Sequence, residues 1–543
     1  MAGVTRLTGT PGPGGAVQVM TNSSVTRRTV LRTMALAAAV AGSTTPAWST
    51  TAFAAAPQTY ALTIKHLARN GRPTGAYETT VTGISGPGAD QEVQPYDASG
   101  TVTVRLPKGR YLLSSALTAG DGADGAGGTD WIVQPRLDLD RDTTITVDAR
   151  TTAPVDVRPP DRSAGFMHSA MVVEVRHRGA ERLVNLISAS ANLRVAHLGP
   201  DAEAGSVKQW FDSYWAARSV DYALGYIFTG ARALTGLTRH PSAKDLATVK
   251  IRAAALPGTA GTGSVDLQPS AGLTVGVSQS LATPGTATYL VTPERGTWDI
   301  TYMAPRVPGG STNRYSADGV AVRAGSTTTH VFDNAVFGPA LAGRPGVVRD
   351  EDSLTVDVPL LADGGGHVPS SPSYASASTT LHRDGVLVGT RTGAPGRAAF
   401  TVAPGRAAYR MTSTVKRTGA PGTATRVTAS WTFVSDTTTG PAPVPVSAVR
   451  FSPVLGPTGT AVADAVLRVP VTVQGAAAKG RVRVLAVSVS MDGGASWRRV
   501  PVERGAVLIH NPGAGTGVSL RAELTDTAGN TLTQTIVDAY RTQ

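Results

Sequence analysis

The sequence predicts an all-β protein: several consecutive β-sandwich domains of immunoglobulin/fibronectin type, behind an export signal. Three observations predict it. Glycine (61) and proline (36) are abundant and sit between Val/Thr-rich runs, the composition of short strands joined by turns. The apolar residues of those runs alternate with a period of two. The hydrophobic fraction of 41% belongs to a folded chain, and 543 residues suffice for three or four cores.

The N-terminus reads as an address. Arg27 and Arg28 lead an Ala-rich apolar stretch that ends in Ala52-Phe53-Ala54. This is the pattern of a signal peptide over 1–54, cut after Ala54, and the paired arginines suggest the twin-arginine route. Met20 is an alternative start to Met1. No stretch reaches ~20 apolar residues, so no membrane span is expected, and the localisation read from the signal is extracellular.

A small sandwich is expected over 57–158. Tyr60, Leu62, Ile64 and His66 alternate with Ala61, Thr63 and Lys65, and Asn70-Gly71 turns. Val102, Val104 and Leu106 run to a Pro107-Lys108-Gly109 turn, and Tyr111 and Leu113 return, which makes a hairpin. DGADGAGG (121–128) is a loop, and TTAPVDVRPPD reads as a linker. A larger sandwich follows over 160–345. Within it only DAEAGSVKQWFDSYWAA hints at a helical turn, and Val249 and Ile251 favour a strand in KDLATVKIRAA. A second small sandwich spans 346–438, with a hairpin turn at Arg383-Asp384-Gly385. A Pro-rich linker (439–447) leads to an immunoglobulin/fibronectin-like sandwich over 448–543.

Composition excludes some chemistry. There is no cysteine, hence no disulfide, thiolate metal site or cysteine nucleophile. The net charge is +12, and 1–54 carries four arginines and no acid, so 55–543 holds 12 − 4 = +8. That charge is spread thinly, without the clustered face of a nucleic-acid binder.

The candidate motifs favour structure over reaction. G-x-S-x-G and HExxH are absent. Ser413-Thr414-Val415-Lys416 matches S-x-x-K, but it follows a strand-like run, where i and i+3 point to opposite faces. Asp138, Asp140 and Asp142 have the spacing of calcium ligands without the glycine and glutamate of a calcium loop. No catalytic, metal-binding or cofactor-binding residue is expected. Ser490, Asp492, Gly494 and Trp497 form an S-x-D-x-G-x-x-W box. Its side chains suit turn closure: Ser and Asp bond turn amides, glycine takes positive φ, and Trp folds over the hairpin. The densest aromatic run lies at 209–228, and Trp210, Tyr214, Trp215 and Tyr222 make a candidate binding patch, with core packing as the alternative.

DSLTVDVPLLADG, TTLHRDGVLVG, FTVAPGRAAYRM, VSMDGGASWRRVPV and LTDTAGNTLTQTIVDAYR follow one another over 350–543. In order and content they resemble the region after the catalytic domain in large secreted actinobacterial subtilisin-like serine peptidases. The family's Asp-x-Gly, His-Gly-Thr-His and Gly-Thr-Ser-Met-Ala motifs do not occur here, so no catalytic residue carries over. The resemblance implies a secreted, non-catalytic accessory or binding protein, with an extracellular protein, peptide or polysaccharide as partner. Two alternatives stand beside it: a serine-peptidase-related enzyme, either a split or truncated subtilisin-like peptidase or an unrecognised hydrolase, and a carbohydrate-binding protein.

Overall fold

The computed structural model describes residues 18–21, 58–119, 127–256, 259–272, 276–306, 312–417 and 423–543. The expected signal region and the cleavage site expected after Ala54 lie outside the described residues, apart from strand Gln18–Thr21, which pairs with Ala180–Ser188. The loop at 121–128 lies almost wholly outside them too. The fold is all-β: strands joined by turns, with three single 3-10 turns at Ala149–Thr151, Ala243–Asp245 and Pro293–Arg295. The chain forms two compact units. The first comprises 1–246, 271–275 and 290–295, and the second the remainder.

The first unit stacks sheets in sandwich fashion. Strand Thr59–Leu67 lies between Thr101–Pro107 and Thr143–Asp148. Leu62, Ile64 and His66 are fully buried, as the alternation requires. They pack against a seven-stranded sheet in which Tyr77–Ser85, Gly109–Ala119 and Gly128–Leu139 are neighbours. That sheet is buried on both faces. Tyr111, Leu113 and Leu117 join the core with Leu62, while Leu112 and Ala116 join a second core with Met171, Phe211 and Leu224. A strand buried on both faces reads as a continuous apolar run, and "YLLSSAL" does so. Its serines are paired: Trp131 Nε1 donates to Ser114 Oγ at 2.9 Å, and Ser115 Oγ lies 2.7 Å from Thr79 Oγ1.

The seven-stranded sheet crosses the division expected near 158. Leu193–His197 runs parallel to Gly128–Leu139, and Ala153–Val157, inside the expected linker, is a strand beside it. Val155 and Val157 are buried in the second core. The expected helical turn is also a strand, Val207–Ala216, paired with Gly165–His177 on one side and Asp221–Gly230 on the other. Two ladder partners and a run of aromatic side chains outweigh local helical preference.

In the second unit, Ala247–Ala253 is a strand parallel to Thr327–Phe332. Gly261–Pro269, Val277–Thr283, Thr297–Met303 and Arg314–Ala321 form a four-stranded sheet. A nine-stranded sheet then joins the two sandwiches expected to be separate. Arg426–Ser435 pairs with Thr531–Thr542, Trp431 opposite Leu532. Two smaller sheets, one holding Gly346–Asp350 and the other Val466–Gly475, share a single core with it. Ala442–Val444, in the expected linker, pairs with Gly346–Asp350, and Trp431 Nε1 donates to the Ser447 carbonyl at 2.7 Å. Ser413 is buried and Lys416 exposed in strand Ala407–Lys416, so the S-x-x-K match has no helix face to act from.

Candidate functional site

The S-x-D-x-G-x-x-W box closes the turn after strand Val482–Ser490. Ser490 Oγ donates to Asp492 Oδ1 at 2.6 Å and accepts from the Gly494 amide at 2.9 Å. Asp492 accepts from the Ser496 amide at 2.9 Å and from its hydroxyl at 2.5 Å, and these bonds hold its carboxyl well below the usual range. Gly493 and Gly494 sit at φ 70° and 94°, where a side chain would be strained. Trp497 Nε1 donates to the Gly494 carbonyl at 2.9 Å, and Arg521 caps its ring at 4.1 Å.

The aromatic run is mostly interior. Trp210, Tyr214 and Tyr222 are buried, so an exposed patch of all four residues does not form. The cause is the strand period: Trp210, Asp212 and Tyr214 lie on one face of Val207–Ala216, Phe211 and Trp215 on the other, and both faces are covered. On the first face Asp212 and Arg295 form an ion pair at 3.0 Å, with side-chain exposures of 2% and 0%. Burial raises the Asp212 pKa against the opposing pull of Arg295, and it also raises that of the neighbouring Tyr214 hydroxyl. Gly225 makes room for the pair, since a Cβ there would lie 2.4 Å from Arg295 Cγ and from Asp212 Oδ1.

Trp215, half-buried, has a different setting. It lines a cleft of about 620 Å³ together with residues of Ala153–Val157, Leu193–His197 and Gly165–His177. Val155, Val157, Leu193 and Phe211 form an apolar floor. Phe166 meets Trp215 edge-on, ring centroids 5.1 Å apart, and Trp215 Nε1 donates to Ser213 Oγ at 3.1 Å. The rim is polar. Arg158 is held by Asp156 at 2.6 Å and Arg194 by the buried Asp130 at 2.7 Å, while Arg162 is exposed and unpaired among the described residues. An apolar concavity with a few placed charges is the usual build of a ligand site.

The second unit holds a cleft of about 640 Å³, lined by Arg252, Pro284, His330, Asn334, His367 and Pro453 among others. His367 belongs to none of the sequence motifs singled out above. The loop Asp363-Gly364-Gly365-Gly366 folds it back onto Asp363, whose fully buried carboxylate lies 3.1 and 3.2 Å from Nδ1. The His367 and Asp333 amides donate to the same carboxylate at 2.8 and 2.9 Å. A Cβ at Gly365 would lie 2.6 Å from His367 Cε1, so the glycine run lets the ring lie flat on the loop. Behind it, burial raises Asp333 to about 6, and Tyr315 donates to it at 2.7 Å. Arg450 is lowered to about 10 by burial, and spends its donors on the Gly338, Pro339 and Ala362 carbonyls at 2.8, 3.2 and 3.4 Å. Burial lowers His330 as well.

The Asp363–His367 pair has the geometry of two members of a Ser-His-Asp triad, but no described hydroxyl bonds His367 Nε2. Asp138 is tied to Arg110 and Arg136, each at 2.7 Å, in an ion-pair network. Among the described residues no group of three or more His, Asp or Glu could hold a metal ion, and no helix is long and apolar enough to cross a membrane.

No family model matches the chain, and no curated protein does. Among solved structures it is similar to the major pilin subunit BcpA of Bacillus cereus, at 10% identity over 51% of this chain and 99% of the pilin, with a TM-score of 0.12. The Bacillus anthracis TIE protein is similar at 13% identity over 72% and 74% of the two chains, TM-score 0.13. The eight N-terminal Ig domains of the Down Syndrome Cell Adhesion Molecule are similar at 10% identity over 89% and 85%, TM-score 0.12. At TM-scores this low the similarities carry no argument about arrangement or activity.

Proposed function

We propose that this chain is an exported, non-catalytic binding protein, built from modules like those that follow the catalytic domain of subtilisin-like peptidases. It engages an extracellular protein, peptide or wall polysaccharide through the cleft of the first unit. The observation that carries this reading is the cleft itself. Trp215 and Phe166 offer aromatic surface above a floor of Val155, Val157, Leu193 and Phe211, and Arg162 is left unpaired at the rim. Aromatic anchors beside guanidinium groups are the residues that concentrate binding energy at interfaces. The export signal and the order of segments over 350–543 support the extracellular setting.

Retention experiments test the proposal. The chain from Gln58 onward, immobilised, is exposed to culture filtrate and to purified wall polymer. A component retained by the wild type should fall at least about tenfold with Trp215→Ala, a loss of about 1.4 kcal/mol or more at a central anchor. Arg162→Glu should weaken retention and alter its salt dependence. Equal retention by wild type and both variants, or none by any of them, would remove the cleft from the account.

A further inference from the structure

Strand Ala180–Ser188 pairs on one side with Gly165–His177, antiparallel and in unbroken register from Ala180 to Ser188. On its other side its neighbour among the described residues is Gln18–Thr21, also antiparallel, with Gln18 opposite Ile187 and Thr21 opposite Val184. That neighbour belongs to the segment read as an export signal cut after Ala54, and the inference rests on that reading. Its removal leaves a row of backbone N–H and C=O groups without ladder partners. Edges that stay bare in solution are ordinarily blunted by a charge, a proline or a bulge. Val184, Asn185, Leu186 and Ile187 carry none of these. The charges of the strand are Glu181 and Arg182 near its start, and the Arg182 guanidinium is drawn to the Gly83 and Ala89 carbonyls at 2.6 and 2.9 Å. Val184 and Leu186 are anchored in the core that holds Met171 and Phe211. Asn185, on the opposite face, is buried, and its Oδ1 accepts no hydrogen bond among the described residues.

We propose that in the exported chain this edge binds an extended segment of a partner protein, which adds to Ala180–Ser188 as an antiparallel strand in the place of Gln18–Thr21. Main-chain hydrogen bonds supply the attraction, as in strand addition generally. The segment is uncharged over the residues opposite 184–187. Its side chains come to lie beside Val184 and Leu186 on one face and Asn185 on the other, where a charge would lose its water. The residue opposite Asn185 carries a hydroxyl or amide donor for the free Oδ1. This surface is separate from the cleft of the first unit, whose lining includes no residue of Ala180–Ser188.

Peptide titration tests the proposal. The chain recovered from culture medium, its N-terminus read by intact mass, is titrated into a fluorescent peptide of residues 16–23 and followed by anisotropy. One saturable site per chain is expected. In an antiparallel ladder alternate residues of the added strand point their amides at the edge. Of two peptides N-methylated at alternate positions, one should therefore lose at least about tenfold in affinity and the other bind like the parent. Ile187→Lys sets a charge on the edge at a partly exposed position and should weaken binding at least about tenfold, with near-UV circular dichroism reporting its fold. Trp215→Ala should leave peptide binding unchanged, which separates this site from the cleft. Absence of saturable binding by a chain that lacks Gln18–Thr21 overturns the proposal, as does equal binding of the parent and both N-methylated peptides. A recovered chain that still carries Gln18–Thr21 overturns it as well, because the edge is then occupied.

Discussion

Asp212 and Arg295 meet with almost no exposure to solvent, 83 positions apart in sequence, and only because position 225 carries no Cβ. Gly225→Ala should displace the guanidinium and leave a buried carboxylate without its partner. A loss of roughly 3 kcal/mol or more is expected, visible as a lower urea midpoint at unchanged m-value. None of this is legible in the sequence, where Asp212 is one acid in an aromatic run and Arg295 one of many arginines. The S-x-D-x-G-x-x-W turn is legible, because its bonds span four residues or fewer and depend on local geometry alone. His66 lies between these cases. Its burial follows from strand alternation, but its bond to Thr79 at 2.7 Å and its stacking on Tyr77 at 3.5 Å do not. Burial lowers its pKa from 6.5 to about 4. The folded state therefore refuses a proton that the unfolded chain accepts. This contribution is fully present above 6.5 and is lost as pH falls from 6.5 toward 4, by at most about 1.4 kcal/mol per pH unit. Stability measured against pH should show a shallower acid limb in His66→Gln than in the wild type.

At the scale of elements, alternation finds strands well and assigns their partners poorly. Thr59–Leu67, the return strand at Tyr111 and the hairpin at Asp384-Gly385 all lie where the pattern puts them. Segments judged by composition do not. Proline and charge make TTAPVDVRPPD resemble a linker, yet Ala153–Val157 inserts between two strands and buries Val155 and Val157. Strand pairing is non-local, so only the neighbour that accepts a segment reveals it as a strand. Val157→Asp separates the two descriptions. In a linker it would change little; here it replaces a core side chain with a charged one and should cost roughly 2 kcal/mol or more. Thermal unfolding followed by near-UV circular dichroism reads the difference. The aromatic run shows the same limit. Its residues divide by strand parity between two faces, and of its aromatic side chains Phe211 and Trp215 line the cleft.

For the molecule as a whole, the class of fold was readable and its partition was not. Continuous sheets override the boundaries drawn from linkers: one runs past 158, and another joins Arg426–Ser435 to Thr531–Thr542. Expressed alone, residues 346–438 would leave Arg426–Ser435 as a bare edge and open half of a shared core, so they should aggregate or stay molten. Residues 346–543 should give dispersed amide resonances. The candidate site was half readable. Trp215 stood in the sequence as a candidate, whereas the Asp363–His367 pair required a glycine loop to fold back by four residues. That pair is also where the claim of a non-catalytic protein is most exposed, since it lacks only a nucleophile. Incubation of the purified chain with a serine-reactive fluorophosphonate probe tests that claim most directly. No covalent adduct is predicted, by gel fluorescence and intact mass; stoichiometric labelling abolished by His367→Ala would contradict it.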